Sequence, residues 1–323
     1  MSATKTRLLN AGRLPPALLA RLAAAYALTT LSEQPDRAAF LAAHGAEFVG
    51  LATSAAVGAD AALIAALPSL KVISSFGVGL DRIDIAAAKA RGIPVGYTPD
   101  VLNDCVADTA FGLLIDVARG FSAADRFVRR GGWLQGNLPL GRKVSGARLG
   151  LVGMGRIGRA IAQRSTGFEM QVRYHARRPV ADVPWPHEPQ LAALAQWADF
   201  LVVITAGGAG THHLIDAEVL DALGPEGYLV NVARGSVVDE AALVLALQQR
   251  RIAGAGLDVY ENEPQVPAAL MTLDNVVLLP HIASATHQTR QAMADRVFDN
   301  LQSFFATGQP VSAAPPAGTK ATP

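Results

Sequence analysis

The chain has 323 residues, half of them hydrophobic and 17% charged, which fits about two folded domains of roughly 150 residues each and argues against intrinsic disorder. Its 28 basic and 27 acidic residues leave a formal net charge of +1, so we expect neither nucleic acid nor a membrane surface as a partner. The single cysteine, Cys105, offers neither an internal disulfide nor a thiolate cluster for a metal.

Two further absences bear on the expected location of the protein. The first residues lack the long apolar core of a signal peptide. No uninterrupted apolar run reaches the length of about 18 residues that is typical of a membrane-spanning helix. The sequence therefore predicts a cytoplasmic protein without a transmembrane segment.

Short aliphatic runs alternate with longer segments rich in Ala, Leu and Arg from end to end. Strands are predicted over residues 7–10, 48–52, 71–74, 149–152, 171–175, 200–204, 228–232, 256–259 and 276–279. Helices are predicted over residues 16–26, 101–119, 156–165, 189–196, 240–249 and 288–305. Such alternation is typical of βαβ units in parallel sheets, and the middle strands are apolar throughout, as in sheets covered on both faces. The predicted class is α/β.

The domain boundary is indicated by a Pro-containing turn at residues 97–100, which precedes the helix over 101–119. The last long helix follows the final strand and can return to the first domain. We therefore predict one domain built from residues 1–99 and 286–308, with a second domain, residues 100–285, inserted into it. Residues 309–323 are rich in Pro, Ala and Thr and are predicted to be disordered.

A G-x-G-x-x-G motif at Gly153, Gly155 and Gly158 directly follows the strand over 149–152 and opens an amphipathic helix. In this setting the glycines allow a tight turn, a close approach of backbone to a pyrophosphate and close packing of the helix on its strand. The phosphates would meet the free N–H groups of the helix N-terminus. The motif predicts a Rossmann-type dinucleotide-binding domain, with an ordinary tight turn as the alternative. The predicted cofactor contacts here are Gly153, Met154, Gly155, Arg156, Ile157 and Gly158.

The end of the next strand indicates which dinucleotide is bound. NAD sites place an acidic residue about 20 positions after the glycine motif, where it holds the ribose hydroxyls. Here the segment His175, Ala176, Arg177, Arg178 contains no acid. Two arginines can bind a 2′-phosphate in forked geometry, so we expect NADP(H) to be preferred, NAD(H) to be used weakly, and these four residues to contact the cofactor. The alternative is a solvated basic pair on a loop.

Three polar residues follow later strands, at the sheet edge where open α/β proteins bind their ligands. Arg234 can clamp the carboxylate or carbonyl oxygen of a 2-oxo acid. His281 can protonate that oxygen as a hydride reaches C2, while Glu263 can hold the second imidazole nitrogen and favour the imidazolium form. Each residue alone could be structural or a surface charge, but their joint placement predicts catalysis of 2-oxo acid reduction.

The remaining histidines do not predict a metal site. His212 and His213 are adjacent in a predicted loop and cannot share one helical metal-binding face, and His44, His187 and His287 have no obvious partners.

The loop after the strand over 71–74 is a candidate for a second anion site. There, Gly77 and Gly79 expose backbone N–H groups, notably those of Val78 and Gly79, although an ordinary strand-to-helix turn explains the same residues.

Taken together, these motifs make the chain resemble the D-isomer-specific 2-hydroxyacid dehydrogenase family over about residues 45–306. The similarity rests on residues 75–84, 98–100, 153–158, 232–235, 256–264 and 280–286. Residues 76–84, 100–108 and 131–135 are most similar to the glyoxylate/hydroxypyruvate reductases, including the plant hydroxyphenylpyruvate reductases. The fold implied is a pair of Rossmann- or flavodoxin-like parallel-sheet domains, with the cofactor domain inserted into the substrate domain.

The resemblance implies roles for further residues. It assigns catalysis to Arg234, Glu263 and His281, and it implies that the backbone of Val78 and Gly79 binds the substrate carboxylate. Ser284 would lie beside the catalytic histidine and bind the substrate. The cofactor cleft would be lined by Thr205, Val232, Ala233, Asp258 and His281, with Asp258 near the nicotinamide.

The resemblance also implies a homodimer, with an arm at about residues 120–142 that wraps around the partner subunit. Trp133 in this arm would reach the partner's active site or pack at the interface.

Two positions depart from the family pattern. Ala283 stands where many members have Gly, and Cys105 occupies a position that is often polar in relatives.

The predicted function is therefore an NADPH-preferring reductase of glyoxylate, yielding glycolate, and of hydroxypyruvate, yielding D-glycerate. The alternatives are a hydroxyphenylpyruvate, phenylpyruvate or other D-2-hydroxyacid dehydrogenase, including an NAD-dependent one acting on phosphoglycerate, which the missing strand-end acid disfavours. An alternative of another class is a corepressor-like binding protein that senses NAD(P). Such a protein need not keep Arg234, Glu263 and His281, all of which this chain has.

Overall fold

The structure is a computed structural model and describes residues 5–315. Its strands in this range are β1 (Arg7–Asn10), β2 (Ala27–Thr30), β3 (Gly50–Ser54), β4 (Val72–Phe76), β5 (Val95–Gly96), β6 (Arg148–Val152), β7 (Gln171–His175), β8 (Phe200–Val203), β9 (Tyr228–Asn231), β10 (Gly254–Leu257) and β11 (Val276–Leu278). Its helices are α1 (Pro16–Ala25), α2 (Arg37–His44), α3 (Ala61–Ala65), α4 (Ile85–Ala90), α5 (Asn103–Arg119), α6 (Phe121–Arg129), α7 (Arg156–Ser165), α8 (Leu191–Trp197), α9 (Ala217–Leu223), α10 (Glu240–Gln248), α11 (Ala268–Met271) and α12 (His287–Thr307).

The described chain divides into two compact units, one made of residues 5–102 and 286–315 and the other of residues 103–285. The first break falls three residues after the position that the sequence predicts, and the second falls at the predicted position. Among the described residues, no helix is both long enough and apolar enough to cross a membrane. Each unit is built around one parallel sheet.

The first unit contains a five-stranded sheet in the order β2-β1-β3-β4-β5, in which all pairings are parallel. This is the flavodoxin-like order. Leu9, Leu51 and Ile73 are fully buried in its core. The helix α12 packs against β4, and the Ser74 hydroxyl donates to the backbone oxygen of Val297 on that helix (3.1 Å). The sequence did not predict β2 and β5, which are the short edge strands.

The C-terminal segment was predicted to be disordered over 309–323, and this prediction is wrong for residues 309–315. The Tyr97 N–H donates to Ser312 O (3.1 Å), and the Ser312 N–H donates to Oδ1 of the buried Asn300 (2.8 Å). Ala313 forms an antiparallel bridge with Gly96 on the edge strand β5. A Pro- and Ala-rich composition is overridden here by partners far away in sequence. Residues 316–323 of the prediction lie outside the described residues.

The second unit contains a six-stranded sheet in the order β11-β10-β9-β8-β6-β7, again with every pairing parallel. A parallel bridge between Tyr174 and His187 extends this sheet by one residue pair beyond β7. The chain reverses its direction of travel across the sheet between β6 and β8, which is the switch point where such sheets bind their ligands. The predicted class, α/β with two Rossmann- or flavodoxin-like parallel-sheet domains, is confirmed.

Candidate active site

The loop between β6 and α7 has the shape that a bound pyrophosphate requires. Gly153 has a φ of +112°, and a Cβ atom there would lie 2.9 Å from Ile204 O. A Cβ atom at Gly158 would lie 2.4 Å from Gly153 O, so helix and strand pack closely because this residue is glycine. At Gly155, by contrast, no heavy atom lies within 4 Å of the position that a Cβ would take. This open space lies at the N-terminus of α7, where a phosphate would approach.

The N-terminus of α7 is itself suited to an anion. Gly155 is the N-cap residue, so no side chain caps this helix within the described chain. The first-turn N–H groups of a helix lack intrahelical partners and carry partial positive charge. Arg156 and Ile157 begin the helix, and Met154, within the loop, is buried. These features fit a dinucleotide, as the sequence predicts.

The end of β7 presents two arginines to solvent. His175 is the last residue of the strand, and its Nδ1 lies 3.1 Å from Glu188 O. Ala176 follows, and then Arg177 and Arg178, whose side chains are exposed. Neither guanidinium forms a hydrogen bond or ion pair with any residue in the range 5–315. Both are therefore available for an anionic ligand.

Three further predicted cofactor contacts lie at the same edge of the sheet. Thr205 follows β8, and a Cβ atom at Gly153 would lie 3.0 Å from its backbone nitrogen. The Val232 N–H donates to Val203 O (3.2 Å), which continues the pairing of β8 with β9. Ala233 is buried directly after it. Thr205, Val232 and Ala233 thus lie at the sheet edge that also carries the glycine loop.

Arg234 is half-buried on the loop after β9, and its Nη1 donates to Ala233 O (2.7 Å). The loop is held by Asn231, whose Nδ2 donates to Arg234 O (3.0 Å) and whose Oδ1 accepts from Ala233 N (3.0 Å). Asn231 is fully buried, and sequence reasoning missed it. The available signal was a polar residue inside an apolar strand, because a buried amide is retained when its hydrogen bonds are satisfied.

Glu263 and His281 form a close pair, with Oε2 of Glu263 2.7 Å from Nδ1 of His281. Because an ionised carboxylate only accepts hydrogen bonds, Nδ1 carries the proton, and Nε2 is the ring atom left for a substrate. The His281 side chain is 44% exposed, so a ligand can reach it. The Tyr260 N–H donates to Oε1 of Glu263 (3.1 Å) and completes the support of the carboxylate.

The electrostatics of this pair favour an ionised Glu263. Burial alone would raise the pKa of its carboxyl group. The hydrogen bond and charge of His281, the Tyr260 N–H and the charge of Arg234 outweigh burial and hold the pKa of Glu263 below its usual value. The structure therefore brings the three predicted catalytic side chains, Arg234, Glu263 and His281, into one electrostatic cluster.

Asp258 anchors the loop that carries His281. It is fully buried, and its two carboxylate oxygens accept from Ile282 N (2.7 Å) and Ala283 N (2.9 Å). Burial raises the pKa of Asp258, and the nearby Glu263 carboxylate raises it further, against the lowering effect of the two N–H donors and His281. The resemblance implied only that Asp258 lies near the nicotinamide. The structure adds a second role, because these bonds fix the chain directly after His281.

Tyr260 is a further supporting residue that sequence reasoning missed. Its hydroxyl donates to Leu279 O (3.0 Å), two residues before His281. Burial and three neighbouring carboxylates raise the pKa of Tyr260 to about 12, so the hydroxyl stays protonated and keeps donating. Its position in the segment Asp258–Glu263, between two predicted site residues, was the available signal.

The other predicted positions are placed as follows. Ser284 is half-buried in the His281 loop, and Ala283 is buried there. Cys105 is half-buried on α5. Trp133 is 68% exposed in a short helical turn at Gly132–Leu134. Val78 and Gly79 are half-buried in the loop after β4, and so belong to the first unit rather than to the second.

Comparison with known proteins places this site in a family. The family model for the NAD binding domain of D-isomer specific 2-hydroxyacid dehydrogenases matches residues 111–283. The chain is 46% identical over 272 residues to glyoxylate/hydroxypyruvate reductase A of Arabidopsis thaliana. The aligned region covers 84% of this chain and 87% of that protein. It is 45% identical over 278 residues to the hydroxyphenylpyruvate reductase of Plectranthus scutellarioides, covering 86% of this chain and 88% of the relative.

A solved structure is similar over nearly the whole length. It is the NADPH-dependent glyoxylate/hydroxypyruvate reductase of Sinorhizobium meliloti in complex with NADP and malonate. The two chains are 44% identical, the match covers 99% of this chain and 100% of the other, and the TM-score is 0.91. These matches extend well beyond the glycine motif that any dinucleotide-binding protein could share. The chain belongs to the D-isomer-specific 2-hydroxyacid dehydrogenase family.

Proposed function

We propose that this protein is an NADPH-preferring reductase of small 2-oxo acids that converts glyoxylate to glycolate and hydroxypyruvate to D-glycerate. The observation that carries the proposal is the Glu263–His281 pair, in which Oε2 of Glu263 lies 2.7 Å from Nδ1 of His281. The charge of Arg234 helps to lower the pKa of Glu263, and all three residues belong to the unit that also contains the glycine loop. Reduction of a 2-oxo acid needs a hydride from the cofactor, a proton donor for the carbonyl oxygen and a cation for the substrate's carboxylate, and the last two are supplied by His281, oriented by Glu263, and by Arg234. The Arabidopsis and Sinorhizobium relatives, which are named for glyoxylate and hydroxypyruvate, support this substrate class.

The chain's own residues divide the chemistry as follows. A nicotinamide bound at this site would supply the hydride for C2 of the substrate. Arg234 binds the substrate's carboxylate or carbonyl oxygen, and His281 donates the proton on Nε2 to that carbonyl oxygen. Glu263 stabilises the imidazolium through Nδ1, because its carboxylate is ionised and close. Asp258 acts through the backbone of Ile282 and Ala283 and keeps the histidine loop in place.

The cofactor would be held by the glycine loop and by the residues at the ends of β7, β8 and β9. The open space at Gly155 would receive the pyrophosphate, at the start of α7, where the first N–H groups of a helix lack intrahelical partners. Arg177 and Arg178, exposed and without partners in the described chain, bind the 2′-phosphate of NADPH. A carboxylate is missing from this segment, so NADH loses the usual hydrogen bond to its ribose.

The double variant Arg177→Ala/Arg178→Ala tests the cofactor assignment. Hydrogen bonds to charged groups contribute about 1.5–3 kcal/mol each, so we expect the KM for NADPH to rise about a hundredfold. The KM for NADH is expected to change less than about threefold, since NADH lacks the phosphate. Steady-state kinetics with both cofactors at saturating glyoxylate measure the difference.

A control is the variant Arg250→Ala/Arg251→Ala, which removes the same charge from another adjacent arginine pair, directly after α10, where Arg251 pairs with Asp221. It should leave both KM values nearly unchanged. If both cofactors are weakened equally by Arg177→Ala/Arg178→Ala, the assignment of the 2′-phosphate to these residues is wrong.

The substrate proposal is tested by following NADPH oxidation with glyoxylate, hydroxypyruvate, phenylpyruvate and hydroxyphenylpyruvate. We expect the highest kcat/KM with glyoxylate or hydroxypyruvate. A higher value with hydroxyphenylpyruvate would favour the activity for which the Plectranthus relative is named. No turnover with any of the four would overturn the proposal, and tight NADPH binding without turnover would favour a sensing protein.

We also propose that the protein is a cytoplasmic homodimer joined by an arm of residues 120–142. The helix α6 in this arm leaves Phe121 and Val128 about half exposed. Further along, Leu134 and Leu140 are almost completely exposed. Four large apolar side chains exposed within about 20 residues of the chain fit an interaction site better than a solvated segment.

The variant Leu134→Asp/Leu140→Asp is expected to convert the dimer to a monomer, because it places two charges in the proposed interface. Size-exclusion chromatography with light scattering gives the mass in solution. Met271→Asp is the control, since Met271 is 61% exposed but lies outside the arm. A wild-type protein that is monomeric, or a dimer that survives both arm substitutions, would contradict the proposed interface.

A further inference from the structure

Two imidazoles and a carboxylate meet outside the proposed catalytic set. Nε2 of His213 lies 3.0 Å from Oε1 of Glu261, and Nε2 of His212 lies 3.8 Å from the same oxygen. One ligand atom from each of the three residues lies within 4.8 Å of the others. Sequence reasoning considered the adjacent histidines without Glu261, which is 48 residues further along the chain from His213.

The spacing of these atoms is compatible with a single metal ion. Zinc bonds to imidazole nitrogen and carboxylate oxygen are about 2.0–2.2 Å long, so two ligands in a tetrahedral site lie about 3.4 Å apart. The two nitrogen–oxygen distances in the structure, 3.0 and 3.8 Å, lie on either side of that value. The side chain of His212 is 56% exposed, so it can turn to bring its nitrogen closer.

The backbone around the cluster is fixed by hydrogen bonds from two directions. The His213 N–H donates to Ser236 O (2.8 Å), which ties the loop after β8 to the chain after β9. The Glu261 N–H donates to Oε2 of Glu240 (3.3 Å). The ligands therefore come from loops that are held next to each other, and binding an ion would order few additional residues.

A carboxylate lies just beyond hydrogen-bond distance of the second nitrogen of His213, so a small shift of the ring on binding an ion would bring the two together. Nδ1 of His213 lies 4.0 Å from Oδ2 of Asp239. Metal-ligating histidines usually direct their other ring nitrogen to a carboxylate, which orients the ring and makes the ligating nitrogen more basic. With Glu240 and Glu261, Asp239 also makes the surroundings acidic, which favours a cation.

We propose that His212, His213 and Glu261 form a binding site for one divalent transition-metal ion of the zinc and cobalt class, with Asp239 orienting His213. Two nitrogen ligands and one oxygen suit such ions, and three protein ligands leave a position for water. The ion would join the loop after β8 to the loop after β10. The second of these loops also carries Glu263, so an ion at this site would restrain the carboxylate that holds His281.

Titration of tag-free protein with ZnCl2 in a calorimeter tests the site, and the visible absorption of Co²⁺ reports its coordination. We expect one ion per chain and at least tenfold weaker binding in each of His212→Ala, His213→Ala and Glu261→Gln. Asp239→Asn is expected to weaken binding about tenfold, as loss of an outer carboxylate commonly does. Asparagine can still cap α10, as Asp239 does by accepting from Ala242 N, so this variant should keep the helix intact.

Two control variants separate this site from other histidine–carboxylate pairs. His44 pairs with Glu47 at 2.9 Å on the surface of the first unit, and His281 pairs with Glu263 at 2.7 Å. Binding should be unchanged in His44→Ala and in His281→Gln. Loss of binding in either control, or full binding in the three ligand variants, would overturn the proposal, and so would a wild-type protein that binds no Zn²⁺. Because His212 is largely exposed, its substitution should not affect folding, and its result decides the question if another variant unfolds.

Discussion

Replacing His281 by glutamine is expected to slow turnover of the substrate by a factor of about 10²–10⁴, the usual contribution of a general acid. Glutamine can occupy the site and accept or donate a hydrogen bond, but it cannot deliver a proton to the carbonyl oxygen. The KM for NADPH should remain within about threefold, because the predicted pyrophosphate contacts lie on the glycine loop. Steady-state kinetics with glyoxylate and hydroxypyruvate measure both the turnover rate and the KM.

The control for this experiment is His44→Gln, since His44 also lies close to a carboxylate, Glu47, but outside the predicted site. It should leave the turnover rate unchanged. A His281→Gln enzyme that is folded, as judged by its thermal melting temperature, and still turns over within about threefold of the wild-type rate would exclude His281 as the proton donor.

A companion variant, Glu263→Gln, separates charge from hydrogen bonding. The contacts with His281, Tyr260 and Arg234 outweigh burial and hold the pKa of Glu263 below its usual value, so the carboxylate is ionised above that pKa and becomes protonated as the pH falls through it. Glutamine keeps an oxygen facing Nδ1 but removes the charge that stabilises the imidazolium. Because glutamine does not titrate, we expect the acidic limb of the kcat/KM profile that protonation of Glu263 causes to disappear, with a smaller loss of turnover than in His281→Gln. A pH profile of kcat/KM that does not move would contradict this role of Glu263.

The parts of the site that the sequence predicted depend on short, local patterns. A glycine motif between a strand and a helix has one common structural meaning, and the structure gives Gly153 the positive φ and Gly158 the close packing that the motif requires. Parallel strands also end at one sheet edge, so Arg234 and His281 could be placed near each other from strand order alone. The spacing of motifs along the sequence was therefore sufficient to predict where these residues lie.

What the sequence did not predict depends on pairs of residues that are distant along the chain. The disorder predicted for 309–315 was wrong because Asn300 and the edge strand β5 supply hydrogen bonds that composition does not reveal. The meeting of His213 with Glu261 depends on the register of two loops, and the anchoring of Ile282 by Asp258 depends on a buried carboxylate. The spacing of residues along the sequence predicts which edge of the sheet a residue occupies. Its hydrogen-bond partners can be identified only from the folded structure.

The second large effect is expected for Arg234. A guanidinium that binds a carboxylate or a carbonyl oxygen forms charge-assisted hydrogen bonds of about 1.5–3 kcal/mol each, so loss of two of them in Arg234→Ala should lower kcat/KM by a factor of about 10²–10⁴. Arg234→Lys keeps the charge but loses the planar fork, and we expect an intermediate loss of about 10–100-fold. Kinetics with glyoxylate, in which the carboxylate and the carbonyl are almost the whole substrate, should show the effect most clearly.

Arg234 is also one of the groups that lower the pKa of Glu263, which gives this variant a second and independent signature. Without the guanidinium charge, the Glu263 carboxyl group becomes protonated at higher pH, so the acidic limb of the kcat/KM profile should move upward in Arg234→Ala and less in Arg234→Lys. Added guanidinium chloride should restore part of the activity of Arg234→Ala, since it supplies the missing cation. A loss of activity without a shifted acidic limb and without rescue would mean that Arg234 only supports the loop held by Asn231, and its assigned role in binding the substrate would then be wrong.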